Sequence, residues 1–194
     1  MSRRLVPLTL DSELPEPCSS CTFWESVDLD PAAKATWLSG TLLDWGSCGT
    51  TVMEDTRVVG YATYAPAHLF PRLATFATAP ISADAVLLAA LRVVEDRRGT
   101  GVGRMLVQGM AGDLVRRGVR AVETVATVSD FGPACLIPAP FLLSVGFKTT
   151  RAHPRHPRLR LDLRSTASWR EDLVEATIGR LRVQKPLGAY RSFN

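Results

Sequence analysis

Long apolar runs are missing from this chain, and their absence excludes a helix that spans a bilayer, which needs ~18–20 such residues. Lysine is scarce, at positions 34, 148 and 185 alone, so the 23 basic residues are nearly all arginine. The net charge of +4 is too mild to select an anionic polymer as partner. The densest basic cluster, Arg151–Arg164, contains no Phe, Trp or Tyr to stack on bases, which argues against nucleic acid. Within it Arg158 and Arg160 alternate with leucine, the pattern of a strand with one solvated face. The N-terminal Met1-Ser2-Arg3-Arg4 has charge but no sustained apolar core after it, so no secretory leader is expected and the expected location is cytoplasmic.

Cysteine is also sparse, at four positions. Cys18 and Cys21 supply half of a metal hairpin, but a tetrahedral zinc site needs two further ligands. Cys48 and Cys135 stand at spacings unlike those of common zinc sites, so no metal is expected and reduced thiols are favoured. What is present in quantity is core: 46% hydrophobic and 22% charged residues over 194 positions suit one globular domain.

The most informative segment is Arg98-Gly99-Thr100-Gly101-Val102-Gly103-Arg104. The apolar stretch from Ala85 to Val94 before it has the branching of a buried strand. After it, Val102, Met105, Leu106, Gly109, Met110 and Leu114 recur at helical steps. A strand that feeds a glycine loop and then a helix N-terminus is an anion site. Backbone N–H groups approach phosphate oxygens where side chains are absent, and the helix dipole favours negative charge. Gly103 is followed by Arg104-Met105 rather than Lys-Ser/Thr, which excludes a nucleoside-triphosphate loop. Arg104 likewise stands where a dinucleotide fingerprint needs Gly or Ala.

The segment resembles motif A of the GNAT N-acetyltransferase superfamily, Arg/Gln-x-x-Gly-x-Gly/Ala, with Leu91-x-Val93 before it at that family's spacing. Arg57–Tyr64 looks like the family's third strand, and Gly118–Val125 like its fifth. Phe141-Leu142-Leu143-Ser144-Val145-Gly146-Phe147 matches its Phe-Tyr-x-x-x-Gly-Phe signature with one change. The resemblance covers roughly residues 4–163. It implies a mixed α/β fold: a central, mostly antiparallel sheet of six or seven strands with helices on both faces. Residues 1–164 would form that domain, and 165–194 a helical extension packed on it.

The remaining organisation is read from punctuation. Arg4–Leu10 is expected as the first strand, and 11–30 as loop. Asp30-Pro31 is expected to open a helix that stops near Gly46. Ala65–Ser82, rich in Pro and aromatics, is expected as a long surface loop.

The resemblance implies acetyl-coenzyme A as co-substrate and direct transfer to an amine of a small molecule or peptide, without metal, nucleic acid or membrane; a homodimer is compatible with it. The N–H groups from Gly99 through Thr100, Gly101, Val102 and Gly103 to Arg104 would hold the pyrophosphate. The backbone at Leu91 and Val93 would pair with the pantetheine arm, with the Val93 N–H aimed at the thioester carbonyl. Many relatives place a Glu four residues before that Leu, and a Tyr after the Phe of the signature. Those positions are Leu87 and Leu142 here.

Both habitual acid–base groups are therefore missing. Glu123, or Asp130 beyond it, is one candidate base and a solvated strand residue is the other reading of Glu123. Trp24 and Glu25 are candidates for the acceptor pocket, and Tyr64 for the missing acid; core packing is the competing reading for Trp24 and Tyr64. Three functions stay open: an acyl-coenzyme A-dependent N-acyltransferase, a non-catalytic acyl-coenzyme A-binding regulatory or interaction protein, and a redox or zinc module at Cys18 and Cys21.

Overall fold

Short apolar alternations lay down one twisted sheet in the computed structural model, which describes residues 2–16, 18–128 and 135–163. Its strands are β1 (Arg3–Pro7), β2 (Gly49–Glu54), β3 (Arg57–Ala65), β4 (Ala85–Val93), β5 (Ala121–Thr127), β6 (Ile137–Pro138), β7 (Lys148–Arg151) and β8 (Arg158–Asp162). Their spatial order is β1-β2-β3-β4-β5-β8-β7, with β6 also beside β5. Neighbours run antiparallel except β4 with β5 and β5 with β6. The sheet has eight strands among the described residues, against six or seven expected, because the two-residue β6 also bonds to β5. The helical extension expected over 165–194, and the candidate Asp130, lie outside the described residues.

Helix α2 (Val102–Arg116) lies on one face and α1 (Ala33–Trp45) on the other, as expected. Leu106, Met110 and Leu114 of α2 are each fully buried against the sheet, a burial that contributes roughly 1.5–3 kcal/mol per side chain. The helix sits close because β3 offers Gly60 beneath it. A Cβ there would stand 2.8 Å from Val102 Cγ1 and 3.0 Å from the Arg92 carbonyl oxygen. Helix α3 (Ala139–Ser144) packs Leu142 into the same layer.

Helix α1 begins at Ala33, three residues after the expected cap. Asp30 instead closes a turn, its Oδ1 accepting from the Ala32 N–H at 2.9 Å and its carbonyl from the Ala33 N–H. The far end matches expectation. Gly46 takes φ +73°, a left-handed cap, and its N–H donates to the Leu42 carbonyl.

Three expectations are corrected. The first strand stops at Pro7, and Leu8 turns inward to 1% exposure. Ala65–Ser82 is only in part a surface loop. It makes two short 3-10 turns, Ala67–Leu69 and Pro71–Thr75, and buries Phe70, Leu73, Thr78 and Ile81. Aromatic pairing pulls it in: Phe70 lies 4.9 Å from the Trp37 ring, and Trp37 Nε1 donates to the Leu69 carbonyl at 2.7 Å. Finally, the arginine face of β8 is not simply solvated. Arg158 and Arg160 turn onto the buried Glu123 of β5, at 3.2 and 3.1 Å.

Among the described residues no helix is long and apolar enough to cross a membrane.

Gly60→Ala is expected to lower unfolding stability by roughly 1–3 kcal/mol in urea melts, because α2 must lift off β3. Gly40, mid-helix with nothing within 4 Å of an added Cβ, is the control: Gly40→Ala should raise stability by about 0.5–1 kcal/mol.

Candidate functional site

Strands β4 and β5 pair over three register positions only, Ala85–Leu87 with Ala121–Glu123. Beyond them the two strands part, and β5 takes β6 as its neighbour instead, pairing Ala126 with Ile137 and Thr127 with Pro138. The gap is a cleft of about 730 Å³. One wall is the end of β4, Leu91–Val93; the other is β5, β6 and α3, with Thr127, Ile137, Pro140, Phe141 and Ser144.

The backbone of the β4 wall faces this gap. The Val94 N–H donates to the Val59 carbonyl at 3.0 Å, and Val93 stands opposite Gly60 in the antiparallel register. Alternation in an antiparallel ladder then turns the N–H groups of Leu91 and Val93 away from β3, toward the side that β5 has left.

A single 3-10 turn, Glu95–Arg97, carries the chain from β4 into the glycine loop. Gly99 and Gly101 take φ of +73° and +88°, which only glycine adopts without strain. The first helical bond of α2 runs from the Met105 N–H to the Gly101 carbonyl. The N–H groups of Val102, Gly103 and Arg104 therefore precede any intrahelical partner and stand at the positive end of a 15-residue helix. Gly103 is needed for another reason: a Cβ there would meet the Phe141 ring of α3 at 3.0 Å. This donor set at the mouth of the cleft fits a pyrophosphate, and the parted β4 edge fits an extended amide chain.

The loop is fastened by ion pairs that the sequence reading missed. Glu54, at the end of β2, accepts from Arg97 Nε at 2.6 Å and Arg3 Nε at 2.9 Å. Arg3 reaches on to the Thr100 carbonyl at 2.7 Å and to Thr100 Oγ1. Arg57 grips Asp96 through two bonds, at 2.9 and 3.3 Å. The guanidiniums of Arg97 and Arg3 hold the Glu54 carboxyl below the usual carboxylate range. No local signal marks this set, because Glu54 and Arg97 stand 43 residues apart.

Of the expected cofactor residues, Leu91, Val93, Arg98, Gly99, Gly101, Gly103 and Arg104 line the cleft together. Thr100 turns its side chain toward Arg3 and Arg97, and the Val102 side chain is in the core. Phe141 and Pro140 were not foreseen as cleft residues, although the first is the leading Phe of the matched signature.

Glu123, Tyr64, Trp24 and Glu25 do not line this cleft. Glu123 is fully buried at the register of Leu87, six residues before Val93 on β4, or roughly 20 Å along a strand. Its carboxylate accepts from Ser82 Oγ at 2.6 Å and the Ser82 N–H at 3.2 Å, and pairs with Arg158 and Arg160. Arg160 in turn makes two 2.9 Å bonds to Asp84. Full burial corrects the reading of Glu123 as a solvated residue, and these partners tie its carboxylate at the branch of the sheet. Tyr64 belongs to the α2 core, where its hydroxyl donates to Asp113 Oδ2 at 3.1 Å. Burial and the nearby Asp113 push that phenol up, and it borders a different cleft, of about 600 Å³, between β1 and α2.

Trp24 is 2% exposed in an aromatic cluster with Phe23, Phe70 and Phe76. Glu25 is tied to Lys34 Nζ at 2.5 Å. Neither lines the 730 Å³ cleft. Leu87 and Leu142, at the two habitual acid–base positions, are both fully buried in core. Among the described residues no cluster of side chains could hold a metal ion.

The model of the acetyltransferase (GNAT) family matches residues 10–135, and the chain belongs to that family. No curated protein matches the chain. Solved structures that resemble it include the PaiA N-acetyltransferase of Thermoplasma acidophilum in complex with coenzyme A. It is 10% identical, covers 84% of this chain and 99% of its own, and gives a TM-score of 0.57. An N-acetyltransferase from Staphylococcus aureus Mu50 is 14% identical over 84% and 99% of the two chains, with a TM-score of 0.54. A GNAT family acetyltransferase from Elizabethkingia anophelis with acetyl-CoA bound is 13% identical over 82% and 97%, at 0.51. At these identities the likeness is one of fold.

The ionic fastening of the loop has a pH signature. A carboxyl held low in the folded state adds stability above its unfolded pKa of ~4.3, and that stability fades as pH falls through the lower folded value. Glu54→Gln should therefore lower the Tm at pH 7. The gap from wild type should close progressively below about pH 4.3, as read by melts across pH 3–7.

Proposed function

We propose that this chain transfers an acetyl group from acetyl-coenzyme A directly to the nitrogen of an amine, carried by a small molecule or a peptide. The observation that carries the reading is the join of two features in one cleft: unpaired strand backbone at Leu91 and Val93, and the N–H-rich glycine loop at its mouth.

The thioester supplies an activated carbonyl; the rest is done by the chain. Backbone N–H groups of the glycine loop, those of Val102, Gly103 and Arg104 foremost, hold the pyrophosphate, and the Arg98 and Arg104 guanidiniums add positive charge beside it. The Val93 N–H is aimed where charge develops on the carbonyl oxygen, so its apolar side chain is no handicap. Positioning the amine against the carbonyl replaces a bimolecular encounter. Proton handling falls to water and the leaving group: a thiol of pKa ~8.5 departs without an acid, and an amine of pKa ~10 attacks from its neutral fraction. Leu87 and Leu142, both fully buried, are consistent with a site that lacks dedicated acid–base side chains.

The same two leucines favour a second reading, a protein that binds acyl-coenzyme A without turning it over. Thiol release from acetyl-coenzyme A with a panel of amines separates the two: stabilisation by coenzyme A with no release for any amine establishes the second. Under the first, log kcat/KM climbs with pH toward the amine pKa, and Glu123→Gln leaves that profile unchanged while lowering the Tm.

Affinity for coenzyme A tests the cleft itself. Arg98→Ala should weaken it about 3- to 30-fold, through loss of one guanidinium near phosphate. Gly101→Glu should weaken it by more than about 100-fold, because it strains a left-handed position and adds negative charge. Unchanged titrations for both variants would overturn the assignment.

A further inference from the structure

The four thiols sort into two classes. Cys18 is 4% exposed with its thiol against the Tyr61 hydroxyl, and Cys48 is fully buried, donating to the Leu8 carbonyl at 3.3 Å. Cys21 and Cys135 are half-buried, and their Sγ atoms lie 2.8 Å apart although 114 residues separate them in sequence. The sequence pairs Cys21 with Cys18 by spacing. The fold pairs it with Cys135 instead.

We propose that Cys21 and Cys135 form a redox modification site that closes to a disulfide on exposure to a small-molecule disulfide such as oxidised glutathione. The site does not depend on the acyl-transfer reading. Closing 2.8 Å to the ~2.04 Å of a disulfide moves the sulfurs by under about 1 Å in total. Both cysteines lie outside helices and strands. Among the described residues no group of three or more His, Cys, Asp or Glu side chains stands where it could hold a metal ion.

The order of events follows from the surroundings. Burial and the neighbouring Cys21 push the Cys135 thiol well above its ordinary range, which makes it a poor first nucleophile. The Cys21 thiolate attacks one sulfur of the oxidant, forming a mixed disulfide and expelling one small thiolate. The Cys135 thiolate then attacks the Cys21 sulfur, forming the Cys21–Cys135 bond and expelling the second. Two cysteines are oxidised, one small disulfide is reduced to two thiols, and the two cysteine protons end on those thiols. Enforced proximity makes the second step intramolecular. The bond fastens the segment before α1 to the residue preceding Leu136 and Ile137, which line the 730 Å³ cleft.

The test uses the full chain in glutathione redox buffers, quenched by alkylation and mapped by peptide mass spectrometry. The expected product is a Cys21–Cys135 cross-linked peptide, reversed by dithiothreitol. Cys21→Ser or Cys135→Ser abolishes it, whereas Cys18→Ser retains it. The cross-linked form should melt higher by roughly 5–15 °C, because the bond closes a long loop of unfolded chain. A stable glutathione adduct without the cross-link overturns the proposal, as does a Cys18–Cys21 bond. An unchanged or lowered Tm of the cross-linked form overturns it equally, by exposing a bond the fold is not built to accept.

Discussion

Two parallel strands that hold together for three residues and then part create the cleft on which the proposed function rests. Strand β5 is fixed on its other side by five register positions with β8, so it cannot follow β4. Side chains at the branch point enforce the divergence. Glu123 draws Arg158 and Arg160 of β8 and Ser82 ahead of β4 onto a single buried carboxylate, and Arg160 adds Asp84. Such a pairing contributes less net stability than its bond count suggests, because burying the charges costs several kcal/mol per ion. Its effect is geometric. It nails the strands at one end, and the backbone of Leu91 and Val93 is left without a strand neighbour on the β5 side at the other.

That geometry explains why a site can be built here almost without chemically active side chains. Oriented N–H groups on β4 and at the start of α2 do not titrate and need no rotamer to be ordered. They border a cleft lined also by Phe141 and Pro140. A polar group at Leu87 or Leu142 would have to be accommodated in core that is fully buried. The leucines therefore belong to the packing of the two layers.

Much of this was legible in the sequence where the physics is local. The loop with its left-handed Gly99 and Gly101, the buried β4 and the helix from Val102 are each specified within a dozen residues, and the places of β3 and β5 along the chain followed from resemblance. Helix α1 was legible to within three residues, because Gly46 marks its end by φ while Asp30 serves equally as cap or as turn. What escaped depends on distant partners. Nothing near Glu123 in sequence announces that Arg158 and Arg160 will saturate it. Nothing near Tyr64 announces Asp113 of α2. Aromatics and prolines in Ala65–Ser82 read as surface because composition does not reveal that Trp37 will face Phe70. The spacing of Cys18 and Cys21 was visible and misleading, since register rather than proximity in sequence decides which thiols meet.

The fastening of the glycine loop carries one last consequence. Glu54, Arg97, Arg3, Asp96 and Arg57 hold that loop by charge, and several of these groups remain in contact with solvent. Exposed pairs weaken as the Debye length shrinks to ~8 Å near physiological ionic strength. A glycine loop anchored in this way, if it holds phosphate as proposed, feels dissolved salt twice. Ions compete for the positive end of α2, and they also loosen the ties that hold the cradle in shape.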